Sequence, residues 1–358
     1  MFYGLALSIR HLFYDKGWKK SFPTPVPGIC VGNVSVGGTG KTPFTELILR
    51  ELLKSDDWAY SNIAVLSRGY KRSSKGFQKV TRDGTAAFFG DEPLQIAKKF
   101  PSVTVAVDKD RIEGCRFLTE PELLQTDKKA RRCLDKDVPK TDIVVLDDAF
   151  QYRRLRANLN IVLIDYNRPV HKDRLLPWGR LRDLPSRMKK ADVIVVTKCP
   201  AYMDDWEREN WKQYVNLRPE QTLLFSTIKY GEMKPLFPEA DSRYTYSSRL
   251  VLFDGIANDA PLRSFLSDKY KIVKKLQFPD HHKYSNADVR AIASASEHFP
   301  TACVVTTEKD AQRVLDVKKI PARLKERMFY IPVETMFLTP EEEAEFTSVL
   351  SRIRREQY

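Results

Sequence analysis

The chain of 358 residues is long enough for two domains, and its 42% apolar and 11% aromatic content is typical of a soluble globular protein. Sixty Lys and Arg against 47 Asp and Glu give a net charge of +13, which favours anionic partners such as nucleotides, phosphorylated substrates or acidic lipid. No apolar run reaches the roughly 18–20 residues of a transmembrane helix, and no signal-peptide pattern or CxxC motif is present. We therefore expect no membrane span, reduced cysteines and no zinc site.

The first twenty residues have an amphipathic pattern. Apolar residues recur there at helical spacing, at Phe2, Leu5, Ile9, Leu12 and Phe13. Basic residues and one tryptophan accompany them, at Arg10, Lys16, Trp18, Lys19 and Lys20. This combination is typical of a helix lying in a membrane interface, and it is equally consistent with a helix packed on the protein's own core.

Continuous apolar runs rich in β-branched residues then predict buried strands at residues 28–32, 63–67, 104–107, 143–146, 161–164 and 193–196. Helical patterns separate most of them, for example at residues 44–54 and 92–99. Strands and helices that alternate in this way predict an α/β fold with a mostly parallel sheet flanked by helices. A ligand site is expected at the carboxyl ends of the strands.

After about residue 200 the pattern weakens, and a polar stretch with Pro and Gly at residues 230–246 marks a junction. Strands are predicted beyond it at residues 250–254, 272–278, 303–306 and 328–331, and helices at 286–297, 311–317 and 341–354. We therefore expect residues 1–230 to form the larger domain and residues 231–358 a second, smaller α/β domain.

The turn between the first strand and the first helix is rich in glycine. It reads Ser35, Val36, Gly37, Gly38, Thr39, Gly40, Lys41, Thr42, Pro43. A strand, a glycine-rich turn ending in Gly-Lys-Thr and a helix form the context of a P-loop, whose backbone N–H groups surround nucleotide phosphates. Lys41 is expected to reach the terminal phosphates, and the Thr42 hydroxyl to bind Mg²⁺. Ser35 departs from the consensus, which has Gly at this position.

Two acidic pairs accompany this loop. Asp147 and Asp148 follow a predicted strand, where a P-loop enzyme places the carboxylate that holds Mg²⁺; otherwise one caps a turn and the other faces solvent. Asp91 and Glu92 precede a predicted helix, as a general base for an attacking hydroxyl or as a simple N-terminal cap.

Other polar groups also follow predicted strands. His281 and His282 stand next to Asp280 and suit a base, an acid or a surface loop, but no further ligands lie at metal spacing. Arginines suited to phosphate occur in three groups, with aromatic residues near two of them: Arg68, Tyr70 and Arg72; Arg111; and Trp178, Arg180 and Arg182. Each group alone is ordinary surface charge, but convergence of the three groups on one sheet edge indicates an active site for a polyanionic ligand.

Taken in order, these segments resemble the tetraacyldisaccharide 4′-kinases of lipid A synthesis, members of the P-loop NTPase superfamily. The resemblance covers residues 31–310. It depends on the stretch 31–43, Ser67-Arg68-Gly69-Tyr70, Gly90-Asp91-Glu92-Pro93, the stretch 146–151, the stretch 176–182, Phe278-Pro279-Asp280-His281 and Thr307-Glu308-Lys309-Asp310. Ser35 is shared by the family and so is no defect of the loop.

The resemblance implies phosphoryl transfer from ATP with Mg²⁺ to the 4′-hydroxyl of an acylated glucosamine disaccharide 1-phosphate, at the cytoplasmic face of the bacterial inner membrane. It implies catalytic roles for Asp91, His281, Lys41 and Arg182, metal contacts for Thr42, Glu92, Asp147 and Asp148, and substrate contacts for Tyr70, Arg72 and Arg111. Arg111 and Arg182 would offset phosphate charge. Because the substrate is a lipid, the resemblance favours an anionic membrane surface as the partner of residues 1–20. It implies no obligatory protein partner.

Three positions depart from the family pattern. Lys71 replaces a usual Gly, Tyr152 a frequent His, and Asp183 a usual Glu.

Three other functions are alternatives to this kinase: a dimer-switch ATPase, which carries a lysine where this chain has Val36, a kinase for a small soluble metabolite, and a nucleic-acid-binding protein. The last is disfavoured because no basic patch interleaved with aromatic residues is present, and we expect no nucleic-acid partner.

Overall fold

The computed structural model describes residues 2–355 of the chain. The described residues form three sheets, whose strands are β1 (Phe22–Pro23), β2 (Gly28–Asn33), β3 (Ile63–Ser67), β4 (Gln78–Lys79), β5 (Thr104–Val107), β6 (Ile143–Asp147), β7 (Leu155–Arg156), β8 (Leu159–Asp165), β9 (Val193–Thr197), β10 (Thr222–Tyr230), β11 (Lys234–Pro235), β12 (Arg249–Asp254), β13 (Lys271–Gln277), β14 (Cys303–Thr307), β15 (Met328–Ile331) and β16 (Val333–Phe337).

The α-helices of the same residues are α1 (Phe2–Asp15), α2 (Lys41–Lys54), α3 (Ala86–Phe89), α4 (Asp91–Lys99), α5 (Arg111–Thr119), α6 (Leu123–Thr126), α7 (Asp205–Val215), α8 (Ala260–Ser267), α9 (Asn286–Glu297), α10 (Glu308–Val314), α11 (Ala322–Lys325) and α12 (Pro340–Arg355). Within residues 2–355, none of these helices has the length and apolar character needed to span a membrane.

The larger sheet has nine strands in the order β16-β10-β9-β8-β2-β6-β3-β5-β4. Its seven central strands are parallel, and only the edge strands β16 and β4 are antiparallel to their neighbours. Buried clusters cover both faces, which explains why the central strands are continuously apolar in sequence. The predicted α/β fold with a mostly parallel sheet is confirmed. All six strands predicted before residue 200 are present, whereas β10 was missed.

The smaller sheet has the order β11-β15-β14-β12-β13 and is parallel except for the short edge strand β11. Apolar clusters again cover both faces. Its four main strands and α9 match the predicted elements closely, while α10 begins three residues before the predicted helix. A second α/β unit with its own core is therefore present.

The chain then returns to the larger sheet. Strand β16 pairs with β10, and Phe346, Leu350 and Ile353 of α12 are buried in the core beneath that sheet. The expectation that everything after residue 230 belongs to the smaller unit needs correction here, because Val333–Phe337 and Pro340–Arg355 pack on the larger one. The division into two domains at residue 230 otherwise stays a prediction.

This topology gathers loops from distant parts of the chain. Because β2, β3, β6, β8 and β9 run parallel, their carboxyl ends meet at one edge of the larger sheet. The glycine-rich turn follows β2, Asp147 ends β6 and Asp148 follows it, and the first arginine group follows β3. The smaller unit packs against this region through α10, which contacts α4.

Candidate active site

The glycine-rich turn joins β2 to α2 in the strand, turn and helix arrangement that the sequence predicts. Gly37 and Gly40 have φ angles of 103° and 81°, a left-handed conformation that glycine adopts without steric cost. The turn is held by Asn33, whose amide donates to Thr39 Oγ1 at 2.7 Å, and by Thr197, whose hydroxyl donates to the Thr39 carbonyl at 2.8 Å. The N-cap residue of α2 is Gly40, which has no side chain to cap the first turn, and this leaves the N-terminus of α2 suited to an anion.

Asp148 lies beside the lysine of this turn. Lys41 Nζ is 3.8 Å from Asp148 Oδ1, and the Arg182 guanidinium donates to both oxygens of the same carboxylate. Although burial raises the pKa of Asp148, these two cations lower it to about 2, so the group is ionised. Asp148 also has a left-handed φ of 50°, a conformation uncommon outside glycine.

Asp147 behaves in the opposite way. It is buried at the end of β6, and burial together with the charges of Glu92 and Asp148 raises its pKa to about 7. Ser67 Oγ donates to its Oδ2 at 3.1 Å, whereas no hydrogen-bond partner within residues 2–355 reaches its Oδ1. A buried carboxylate oxygen without a partner suits a cation.

The protein alone does not complete a metal site. In the described part of the chain, no three His, Cys, Asp or Glu side chains are grouped so that they could hold a metal ion. Thr42 is buried at the start of α2, and Glu92 is engaged by Lys309 Nζ at 3.0 Å. The donors therefore fit Mg²⁺ only in the way such ions bind in nucleotide enzymes, through a few protein oxygens and the phosphates of the substrate.

The structure brings Asp91 and His281 together from the two α/β units. Asp91 begins α4, and its Oδ2 lies 3.6 Å from Nδ1 of His281, which follows β13 and has a φ of 61°. The two residues are 190 positions apart in sequence. Tyr70 lies beside them, since its ring centre is 5.8 Å from that of His281.

Two basic residues of α10 at this cluster were given no role by the sequence. Arg313 Nε donates to Asp91 Oδ2 at 3.0 Å, and its Nη1 donates to Asp310 Oδ1 at 2.9 Å. Lys309 Nζ, besides contacting Glu92, lies 3.5 Å from His281 Nε2. Burial raises the pKa of Asp91, but the neighbouring His281 imidazole and the charges of Lys309 and Arg313 outweigh it and hold that pKa well below its usual range. In the sequence, only the motif Thr307–Asp310 connected this helix with the function of the family.

Arg182 reaches the site from a loop that is pinned to the glycine-rich turn. Leu181 forms an isolated antiparallel bridge with Ser35, and Val36 N–H donates to the Arg180 carbonyl at 2.7 Å. The Arg182 guanidinium contacts Asp148 and the side chain of Asn33. The structure therefore brings Arg182, Lys41 and Asp148 into one cluster.

The three predicted substrate contacts differ in their surroundings. Arg111 is only 3% exposed and donates to the carbonyls of Asp108 and Asp147, at 3.2 and 3.3 Å, so it supports the end of β6 rather than presenting a free guanidinium. Arg72 donates to Ser74 Oγ and the Gly76 carbonyl within its own loop. Tyr70, in contrast, is exposed beside His281.

Comparison with known proteins gives the family. The family model for tetraacyldisaccharide-1-P 4′-kinase matches residues 1–354. The tetraacyldisaccharide 4′-kinase of Parabacteroides distasonis is 38% identical over 94% of this chain and 88% of its own length, and that of Bacteroides thetaiotaomicron is 36% identical over 98% and 91%.

A solved structure agrees with the sequence comparison. The apo form of LpxK from Aquifex aeolicus in complex with ATP superposes with a TM-score of 0.68 at 25% identity, over 98% of this chain and 96% of that one. The chain is therefore similar in both sequence and architecture over nearly all of its length, and it belongs to the tetraacyldisaccharide 4′-kinase family.

Proposed function

We propose that this chain transfers the γ-phosphoryl group of ATP to the 4′-hydroxyl of tetraacyldisaccharide 1-phosphate, giving the 1,4′-bisphosphorylated lipid. The observation that carries the proposal is the pairing of Asp91 with His281, in a chain of this family that also has a glycine-rich strand-to-helix turn. The bond between the γ-phosphorus and the bridging oxygen breaks, a bond from the sugar oxygen to the γ-phosphorus forms, and ADP leaves.

Charge stabilisation falls to the cluster around the loop. The turn 35–43 surrounds the phosphates with backbone N–H groups, and Lys41 and Arg182 offset the negative charge that the transferring group carries. Both cations form ion pairs with Asp148, which holds the Arg182 guanidinium close to Lys41 of the turn. Thr42, Asp147, Asp148 and Glu92 are the candidate donors for Mg²⁺, which when bound neutralises phosphate charge.

The hydroxyl proton goes to the pair formed by Asp91 and His281. Arg313 keeps Asp91 ionised, and an ionised carboxylate stabilises a protonated imidazole next to it. Arg313 Nη2 lies 3.2 Å from His281 Nδ1, and because a guanidinium only donates, Nδ1 accepts. The nitrogen of His281 that can take the proton is therefore Nε2, with Asp91 as the counter-charge. In this account Asp91 and His281 act as one base rather than as two independent groups.

The exposed face of α1 supports a membrane-bound acceptor. Phe2, Leu5, Ile9 and Leu12 project from one side of the helix into solvent, with Phe2 89% exposed, while Leu7 and His11 face inward. Lys16, Lys19 and Lys20 follow directly and are exposed, which suits an anionic lipid surface. We infer that residues 1–20 contact the cytoplasmic face of the inner membrane. A kinase for a soluble metabolite would have no use for such a face.

The proposal is tested with the purified full-length protein in detergent, with ATP, Mg²⁺ and the disaccharide 1-phosphate lipid. Mass spectrometry should detect the bisphosphorylated product, and Lys41→Met should lower turnover by at least about 1,000-fold because it removes a cation from the transferring phosphoryl group. Folded wild-type protein that binds ATP but yields no such product would contradict the proposed function.

A further inference from the structure

Helix α1 has a second face that points into the protein. Tyr3, Arg10 and His11 lie on it, and each makes a hydrogen bond to a segment that adjoins the active site. Arg10 donates to the Gln151 carbonyl at 2.7 Å, and Gln151 in turn donates to the Asn33 carbonyl at the end of β2 at 2.6 Å. The opposite face of α1, with its exposed apolar side chains, points away from these contacts.

The strongest of these contacts is a buried pair. His11 Nε2 lies 2.6 Å from Asp183 Oδ1, and the two residues are 4% and 0% exposed. Arg153 Nη1 lies 3.3 Å from His11 Nδ1 and donates to the His11 carbonyl at 2.9 Å. Since a guanidinium only donates, Nδ1 accepts and the N–H of Nε2 donates to Asp183. Burial, the largest influence, lowers the pKa of His11, which is consistent with this neutral form.

The pair acts directly next to Arg182. Asp183 follows Arg182 in the chain, and Tyr3 Oη donates to the Arg182 carbonyl at 2.8 Å. The N–H groups of Arg182 and Asp183 donate to the carbonyl of Val34, the residue before the glycine-rich turn, at 2.8 and 3.1 Å. The backbone that carries the Arg182 guanidinium is therefore held by the nucleotide loop on one side and by α1 on the other.

We propose that the inner face of α1 positions Arg182 for phosphoryl transfer, so that the helix facing the membrane also helps to build the active site. His11 and Tyr3 are positioning residues in this account, since neither touches the reacting groups. The inference rests on the proposed function, because it assigns Arg182 a part in that reaction. A charged group opposite a transferring phosphoryl group acts only when correctly placed, and a displacement of about 1 Å costs up to about 100-fold in rate.

The test compares His11→Leu, His11→Gln and Tyr3→Phe in the full-length protein. His11→Leu should lower kcat about 10-fold with the KM for ATP within about twofold, because Arg182 is displaced while the nucleotide loop persists. His11→Gln should restore most of the lost kcat, since its amide can donate to Asp183 in place of Nε2. Binding to vesicles containing anionic lipid should stay at the wild-type level, because His11 faces away from the exposed side of α1. The control is His298→Leu, an exposed histidine at the end of α9, which should leave kcat unchanged.

Thermal melting shows whether each variant is folded. A lower kcat in a folded variant then reports on the positioning of Arg182 and not on loss of stability. A folded His11→Leu with wild-type kcat would overturn the inference, as would a His11→Gln no more active than His11→Leu. If His11→Leu fails to fold, Tyr3→Phe decides, since it removes only one hydroxyl: a kcat at least about twofold lower supports the inference and an unchanged kcat refutes it. Wild-type turnover tests the proposed function separately, because the inference depends on ratios of variant to wild type.

Discussion

Asp147 and Asp148 show how neighbours in sequence acquire opposite properties. Asp147 is the last residue of β6 and Asp148 follows it. Asp148 lies close to Lys41 and Arg182 and its pKa falls to about 2, while Asp147 is buried near other carboxylates and its pKa rises to about 7. Asp148 also differs from Asp147 in having a left-handed φ of 50°. Burial and the nearest charges, rather than residue type, decide the ionisation of each group.

If Asp91 and His281 act as one base, their losses are not independent. We expect Asp91→Asn and His281→Ala each to lower kcat on the order of 100-fold, and the double variant to be little worse than either, because the second change removes a function already lost. Steady-state kinetics in detergent measures all three. His282→Gln is the matched control, since that imidazole pairs with Asp288 instead. Losses that multiply in the double variant would show two independent roles.

The neighbours that lower the pKa of Asp91, namely His281, Lys309 and Arg313, make stability depend on pH. The folded-state pKa of Asp91 is lowered, so the stability that it contributes is present above the unfolded value near 3.8 and is lost as the pH falls through the lower folded value. Asp91→Asn should therefore be less stable than wild type by about 2 kcal/mol at pH 7, and the difference should shrink below pH 4. Urea denaturation at several pH values checks this; a difference that grows towards low pH would contradict the assigned ionisation.

At the scale of elements, α1 shows that apolar periodicity in a sequence does not decide what the apolar side of a helix contacts. Its apolar stripe predicted either a membrane helix or a core helix, and periodicity cannot distinguish them because both have one apolar side. In the structure the stripe is exposed, and polar residues such as Tyr3 and His11 fasten the opposite side. The helix is thus attached through hydrogen bonds and leaves its apolar face free.

The exposed face of α1 gives a prediction about membrane binding. Leu5→Ser combined with Ile9→Ser should lower partitioning onto vesicles containing anionic lipid at least about 10-fold, because two apolar side chains no longer leave water. Vesicle sedimentation measures the bound fraction. Leu134→Ser is the matched control, since Leu134 is 74% exposed on a loop outside α1 and should not matter. Equal partitioning of the α1 variant and wild type would refute the membrane contact.

At the scale of the whole molecule, the two α/β units are joined by charges and by a returning chain. Helices α4 and α10 meet through Asp91–Arg313, Glu92–Lys309 and Lys99–Glu308 contacts. The chain then leaves the smaller unit after β15 and adds β16 and α12 to the larger sheet. The base of the proposed reaction therefore lies at the contact between the units.

The contribution of α12 to the core of the larger sheet can be tested by substitution of a buried side chain. Phe346 is fully buried and packs edge-on against Phe44 of α2, with ring centres 5.7 Å apart. Phe346→Ala should lower the free energy of unfolding by about 3–5 kcal/mol, because it leaves a cavity beneath the larger sheet. Chemical denaturation measures this, with the exposed neighbour Glu345→Ala as control. A loss below about 1 kcal/mol would mean that α12 is dispensable for this core.

The sequence alone determined the parallel sheet, the glycine-rich turn and the aspartates after β6, because each depends on residues close together in the chain: continuous apolar runs, glycine spacing, and a carboxylate at a strand end. It also indicated Asp91 and His281, through motifs typical of the family. Only the tertiary structure decided that Arg313 holds Asp91 from 222 positions away, that Arg111 is buried, which side of α1 is exposed, and that β16 returns to the larger sheet. Contacts between distant residues leave no local periodicity in the sequence, since they depend on how whole elements pack.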